Sequence, residues 1–385
     1  MSESSLPFKS KLPGVGDTIF AQMSKKAKEH DAVNLSQGFP NFGTPDALIE
    51  RVTHHMKAGR NQYPPMPGVR RLKEGLSDKI EGLYGARFDP DSEITITAGA
   101  TQAIQMSINA FIHKGDEVIL FEPAYDVYAP CVQLNGGKPK PVRLSPPEYR
   151  INWNAVKEKI SDRTRCIIVN TPHNPSGTIW RNEDMKQLEQ LTQRHDLLVL
   201  SDEVYHHMVY DGEEHQSICR YPRLRKRGMA AFSFGKTYHA TGWKVGYFVA
   251  PETITNEFRK VFQYGMFAVS SPMQHAFADY LERSQHYLEL SNFYQEKRDL
   301  FREIIKASRF KLLPCEGTYF QCVSFEEISN ASDIDFVEKL IVDHGVAAIP
   351  VSPFYHDNHD EQIIRFCFAK TEETLNKAGE QLVNV

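Results

Sequence analysis

Short runs of uninterrupted apolar residues punctuate the first two thirds of the chain. They fall at Ile94–Thr97, Glu117–Phe121, Cys166–Asn170, Leu197–Leu200, Ala230–Phe234 and Gly246–Val249. Most show no apolar–polar alternation, which predicts strands covered on both faces. The stretches between them, such as Thr101–Lys114 and Glu183–His195, are polar, helical in period and long enough for crossover helices. Strand and helix alternating in this way predict an α/β fold with a mostly parallel, doubly wound sheet. The pattern changes near residue 280. Tyr287–Ser308 reads as one long helix, followed by a strand at Thr318–Val323, a helix at Asp335–His344 and a strand at Ile363–Phe368. These predict a second, smaller α+β domain. With no Gly/Ser linker between them, the two parts are expected to pack closely. The first ~15 residues read as a loosely held arm.

Composition narrows the class. Apolar residues make up 41% of the 385 and charged residues 24%, with a net charge of −4. This is ordinary globular composition and excludes disordered and collagen-like chains. A slightly acidic chain offers no global attraction for nucleic acid or an anionic membrane. No apolar run approaches the ~20 residues of a bilayer span. The N-terminal Met1-Ser2-Glu3-Ser4-Ser5 lacks the basic flank and apolar stretch of a signal peptide. The six cysteines are scattered, form no C-x-x-C pair and sit largely in apolar runs. A reduced, cytoplasmic enzyme is expected, with no metal.

Four motifs fail on inspection. Gly14-Val15-Gly16-Asp17-Thr18-Ile19 opens like a dinucleotide loop, but has Ile at the third glycine position and no strand before it. Gly235-Lys236-Thr237 ends like a P-loop, but Ala230 stands where the earlier glycine is required. The His356–Asp360 cluster reads as a solvated loop rather than a metal site, since nothing nearby has ligand spacing. The basic run Arg220, Arg223, Arg225, Lys226 and Arg227 reads as a solvated surface segment. Only Tyr221 among it could stack on a base.

Chemistry-bearing residues gather instead just past the predicted strands, where doubly wound sheets bind ligands. Ala98-Gly99-Ala100-Thr101 leads into a helix whose free N–H groups suit a phosphate. Glu122-Pro123-Ala124-Tyr125 offers an aromatic face. Then come Asn170–Gly177, Ser201-Asp202-Glu203-Val204-Tyr205 and Ser233-Phe234-Gly235-Lys236-Thr237. Each alone could be turn or cap chemistry, but five at successive strand ends point to one site.

These segments resemble the class I/II branch of fold-type I aminotransferases, which use pyridoxal 5′-phosphate (PLP). The likeness runs from Asn34-Leu35-Ser36-Gln37-Gly38 to Ile364-Arg365-Phe366, and its most specific pieces are Thr171–Gly177 and Ser233–Gly246. Within the family the chain is most similar to the kynurenine/glutamine and bacterial methionine aminotransferases. The resemblance implies a large PLP-binding domain over 45–280, a small domain from 15–44 and 281–385, and an arm over 1–14. It also implies that Lys236 holds PLP covalently and later shuttles a proton, which requires a neutral amine. Asp202 would pair with the ring nitrogen, Tyr205 and Asn174 with the phenolic oxygen, and Tyr125 would stack on the ring. The phosphate falls to Ala100, Thr101, Ser233 and Lys244. Lys244 stands where relatives often have Arg, giving a point charge rather than a fork. Tyr63 would reach the phosphate of a neighbouring subunit, implying a homodimer.

By the same resemblance, Arg365 would clamp the substrate carboxylate, with Asn174 and the Gly38 N–H. An Arg among Ile363, Ile364, Phe366 and Phe368 needs an anionic partner if buried, and a structural carboxylate is the alternative. No family-matched Arg serves a distal carboxylate. Ile19, Phe20 and Phe267 fall where side-chain contacts are expected. The implied reaction is therefore ping-pong transfer of an amino group to a 2-oxo acid from an apolar or aromatic donor. Methionine is favoured, with phenylalanine, tyrosine, glutamine and kynurenine as further candidates. Two alternatives stand beside it: a PLP-dependent carbon–sulfur β-lyase, and a binding or regulatory protein on the same fold. Intact Lys236, Asp202 and Arg365 oppose the second.

Overall fold

A computed structural model describes residues 9–385. The first eight residues of the expected arm lie outside the described residues. Thirteen strands are β1 (Val33–Asn34), β2 (Ile94–Thr97), β3 (Glu117–Glu122), β4 (Lys138–Arg143), β5 (Thr164–Asn170), β6 (Leu198–Asp202), β7 (Gly228–Ser233), β8 (Gly246–Val249), β9 (Lys311–Leu312), β10 (Phe320–Ser324), β11 (Val346–Ala347), β12 (Ile349–Pro350) and β13 (Ile363–Cys367). Seven form one sheet in the order β2-β8-β7-β6-β5-β3-β4. Its pairings are parallel except those of β8 with β2 and β7. The fold is α/β, with helices flanking this mostly parallel sheet.

The continuous apolar runs are its buried strands: every residue of β2, β3 and β8 is buried, and the interior of β6 is Val199 and Leu200. The strand with no expectation attached, β4, is an edge strand. Its Lys138-Pro139-Lys140-Pro141 stretch is exposed or half-buried. Pro and Lys suit an edge, where ladder donors are not needed and charge blocks further pairing.

A smaller antiparallel sheet, β12-β13-β10-β9, is built from residues after 310. Residues 33–34 return to it through the parallel β1–β11 pair, so an N-terminal segment packs with the C-terminal third. The expected single helix at Tyr287–Ser308 is two: Gln285–Leu288 and Leu290–Ile305, meeting at Glu289. Gly85 and Gly345 end their helices at φ 66° and 65°, a conformation that costs glycine little. All six cysteines are buried and free. No described helix is long and apolar enough to cross a membrane.

Candidate active site

The C-terminal ends of the parallel strands open on a cavity of about 260 Å³. Its walls come from the strand ends, from the segment 20–39 and from Phe320 and Arg365 of the smaller sheet. The sequence expectation named thirteen site residues, and twelve line this one cavity. The other, Tyr63, is 81% exposed and meets Phe267 edge-on at 5.3 Å. Phe20 lines the cavity, whereas Ile19 packs against the core and Phe267 is half exposed.

One end of the cavity is a cradle for an anion. Gly99 opens the helix Gly99–Phe111 at φ 76°, and the Ala98 cap makes no side-chain bond to its first turn. The free N–H groups of Ala100 and Thr101 carry the partial positive charge of the helix start. Ser233 ends β7 beside them, and Lys244 takes a left-handed φ of 52°. Gly246 is required here: a Cβ would lie 2.4 Å from the Phe232 carbonyl oxygen and 2.9 Å from the Ala100 nitrogen. Its absence lets the helix start sit directly on β8.

At the opposite wall Asp202 ends β6, 3% exposed. Burial raises its carboxyl to about 6, against the bond from Tyr128 and the nearby Lys236. Tyr128 Oη donates to Asp202 Oδ2 at 2.6 Å, and the Val204 N–H to Oδ1 at 3.4 Å. Asn170 Nδ2 donates to the Asp202 carbonyl, and Asn170 Oδ1 accepts from the Asn174 N–H. That bond seats the Asn174 loop over the end of β5. Tyr125, its phenol pushed to about 12 by burial, meets Tyr128 edge-on at 5.8 Å.

Lys236 follows β7 in the short helix Phe234–Thr237. Burial lowers its amine to about 8, so a large neutral fraction exists near neutral pH. Nζ donates to the Gly38 carbonyl at 3.0 Å and to Tyr319 Oη at 2.7 Å. Burial raises the hydroxyl pKa of Tyr205, which keeps it a donor.

Arg365, on β13, is 1% exposed. The expected alternative of a structural carboxylate is not realised: no carboxylate oxygen among the described residues lies within 4 Å of it. NH1 donates to Asn174 Oδ1 at 2.6 Å, NH2 to the Ser36 carbonyl at 3.4 Å, and Nε has no partner. Its guanidinium lies 3.8 Å from the Phe320 ring centroid and 5.4 Å from that of Phe20. A buried cation whose hydrogen bonds go only to neutral groups, with Asp126 acting on it only from beyond ion-pair distance, is suited to an anionic ligand.

Sequence reading missed Tyr128, Asn170, Tyr319 and Phe320. Asn170 opens a quoted segment and Tyr128 stands close to one, but a lone Asn or Tyr has no motif that would assign it a role. Tyr319 and Phe320 meet the site only because the smaller sheet folds over it. Outside the cavity, His356 Nδ1 pairs with Glu122 Oε2 at 2.8 Å, and no three potential ligand residues among the described residues gather as a metal site. The basic run is less solvated than expected: Arg220, Arg225 and Arg227 are half-buried, and Arg227 pairs with Asp196 at 3.1 Å.

Comparison with known proteins agrees with this geometry. Residues 30–382 match the family described as Aminotransferase class I and II. The methionine aminotransferase of Escherichia coli is 49% identical, with 99% of each chain covered. Human kynurenine–oxoglutarate transaminase 1 is 33% identical over 97% of this chain and 96% of its own. Among solved structures, an Escherichia coli protein with methionine aminotransferase function superposes with a TM-score of 0.97 at 49% identity, covering 99% of this chain and all of its own. The N-succinyldiaminopimelate aminotransferase of Mycobacterium tuberculosis does so at 0.94 and 31% identity, covering 98% and 99%. With a half-buried lysine, an aspartate and an arginine without an ion-pair partner around one cavity, and a family match spanning nearly the whole length, the chain belongs to the class I and II aminotransferases and is an aminotransferase.

Proposed function

We propose that this aminotransferase works with PLP and takes its amino group from an apolar or aromatic L-amino acid, methionine foremost, passing it to a 2-oxo acid. The observation that carries the reading is the shared cavity: Lys236, Asp202 and an Arg365 without a carboxylate partner all open on it. The residues fit the cofactor. The helix start with Ser233 and Lys244 matches a phosphate, Asp202 matches a protonated ring nitrogen, and Tyr125 offers an aromatic face.

When bound, PLP supplies an aldehyde for the amino group and a ring that draws electrons from the donor's α-carbon. Asp202, a carboxylate above about pH 6, holds the proton on the ring nitrogen. Tyr205 and Asn174 orient the cofactor at its phenolic oxygen. Arg365 binds the α-carboxylate, and Nζ of Lys236 removes the α-proton and returns one in the second half of the cycle. Among the described residues, Lys236, Lys244 and Arg365 are the only Lys or Arg lining the cavity. Each has a role above, so the lining from this chain offers no further cation for a distal carboxylate. Phe20, Phe39, Val204 and Phe320 line the wall instead, which supports an apolar donor. The methionine activity of the Escherichia coli relative supports the same choice. One methylene is worth about 1–3 kcal/mol in such a wall, which favours a broad donor range. We further propose that Tyr63 reaches the site of a second copy in a homodimer acting in the cytoplasm.

Replacing Lys236 tests the reading. A folded Lys236→Ala chain is expected to lose covalent PLP, seen as an unchanged protein mass after borohydride treatment, and to lose turnover of methionine. Turnover at the wild-type rate would overturn it.

A further inference from the structure

Tyr319 lies behind Lys236, fully buried and outside the cavity lining, at the start of the smaller sheet. Its hydroxyl donates to the Gly38 carbonyl at 2.5 Å. That uses its only proton, so it meets Lys236 Nζ, 2.7 Å away, purely as an acceptor. The Gly38 carbonyl accepts a second bond from the same Nζ at 3.0 Å. Lys236 Nζ therefore has two acceptors, one on the segment at residue 38 and one at residue 319, and Lys236 itself comes from the large sheet.

We infer that Tyr319 is a positioning residue: with the Gly38 carbonyl it holds the two N–H bonds of a neutral Lys236 amine, so that the remaining lone pair points into the cavity. The atom count closes. A neutral amine has two N–H donors for these two acceptors, which leaves its lone pair for the cavity side, where an ammonium would present a third N–H instead. Capture of an aldehyde forms one N–C double bond and expels the carbonyl oxygen as water. Both amine protons leave with that water, and they are the two held by Tyr319 and Gly38. The lone pair that forms the bond is also the one that accepts a proton from carbon. Burial acts in the same direction on the amine. The inference rests on the PLP reading above.

The test compares wild type with Tyr319→Phe, both stripped of cofactor. PLP capture is followed by stopped-flow visible absorbance from pH 6 to 10, and affinity for pyridoxamine 5′-phosphate, which has no aldehyde, is measured alongside. Loss of orientation is expected to slow the high-pH plateau of capture about tenfold. The midpoint of the pH profile should not rise, because a phenyl ring solvates an ammonium no better than a phenol, and pyridoxamine phosphate affinity should stay within about twofold. Unchanged capture, a raised midpoint, or pyridoxamine phosphate binding weakened as much as capture would overturn the inference. Wild type failing to capture PLP at all would instead overturn the cofactor reading. Should Tyr319→Phe not fold, ¹⁵N-lysine NMR of stripped wild type at pH 9 decides. A neutral Lys236 amine with protected protons supports the inference, and a charged, freely exchanging one contradicts it.

Discussion

Lys79 is a buried cation with nothing to answer it. It is 5% exposed, Nζ has no hydrogen-bond partner, and its nearest aromatic face, Tyr287, is 4.7 Å away. Burial lowers its amine to about 7, and the neighbouring His206 and His207 are held well below the usual histidine value by burial and by Lys79. The folded value lies below the unfolded value near 10.5, so the unfolded chain binds the extra proton between about pH 7 and 10.5. Stability contributed by this group therefore rises with pH through that window, by up to about 1.4 kcal/mol per unit, and its full cost is present below it. Lys79→Met is expected to raise the unfolding free energy most at pH 7, with a gap over wild type that shrinks towards pH 10. Urea titrations at both pH values check this; an equal gap at both would contradict it. No sequence signal separates Lys79 from a surface lysine, because the helix Arg70–Tyr84 buries Lys73 and Lys79 alongside Leu72, Leu76 and Ile80.

At the scale of elements, the ends of β2, β3, β5, β6 and β7 supply most of the site, and these were legible because buried parallel strands leave uninterrupted apolar runs. β4 was not, since an edge strand written with Pro and Lys carries neither an apolar run nor an alternation. The break at Glu289 was also hidden, because both flanking stretches share one helical composition. The site residues carried by strand-end motifs line one cavity, whereas Tyr319 depends on the register of β10 against β13 and on how that sheet covers the first. The tight backbone contact of β8 against the helix start gives a prediction. Gly246→Ala is expected to destabilise by about 1–3 kcal/mol and to weaken PLP binding. Gly242→Ala, where a Cβ meets nothing within 4 Å, should do neither. Paired thermal melts and PLP titrations read both effects; equal behaviour of the two variants would contradict the packing account.

At the scale of the whole molecule, the site is a seam. The large sheet brings Asp202, Ser233 and Lys236, the segment 20–39 brings Phe20 and Gly38, and the smaller sheet brings Phe320 and Arg365. Phe320 and Arg365 thus face the cavity from the smaller-sheet side, and Asp202, Val204 and Lys236 from the large-sheet side. On the function proposed above, donor choice depends on what lies beside Arg365, which the Phe20 and Phe320 rings face. Whether this site takes the amino group of an apolar donor is read in a half-reaction. The PLP-loaded protein is given one amino acid at a time, without an oxo acid, while its visible absorbance is followed. Methionine and phenylalanine should bleach the visible band, while aspartate leaves it unchanged. Bleaching by aspartate alone would contradict the account.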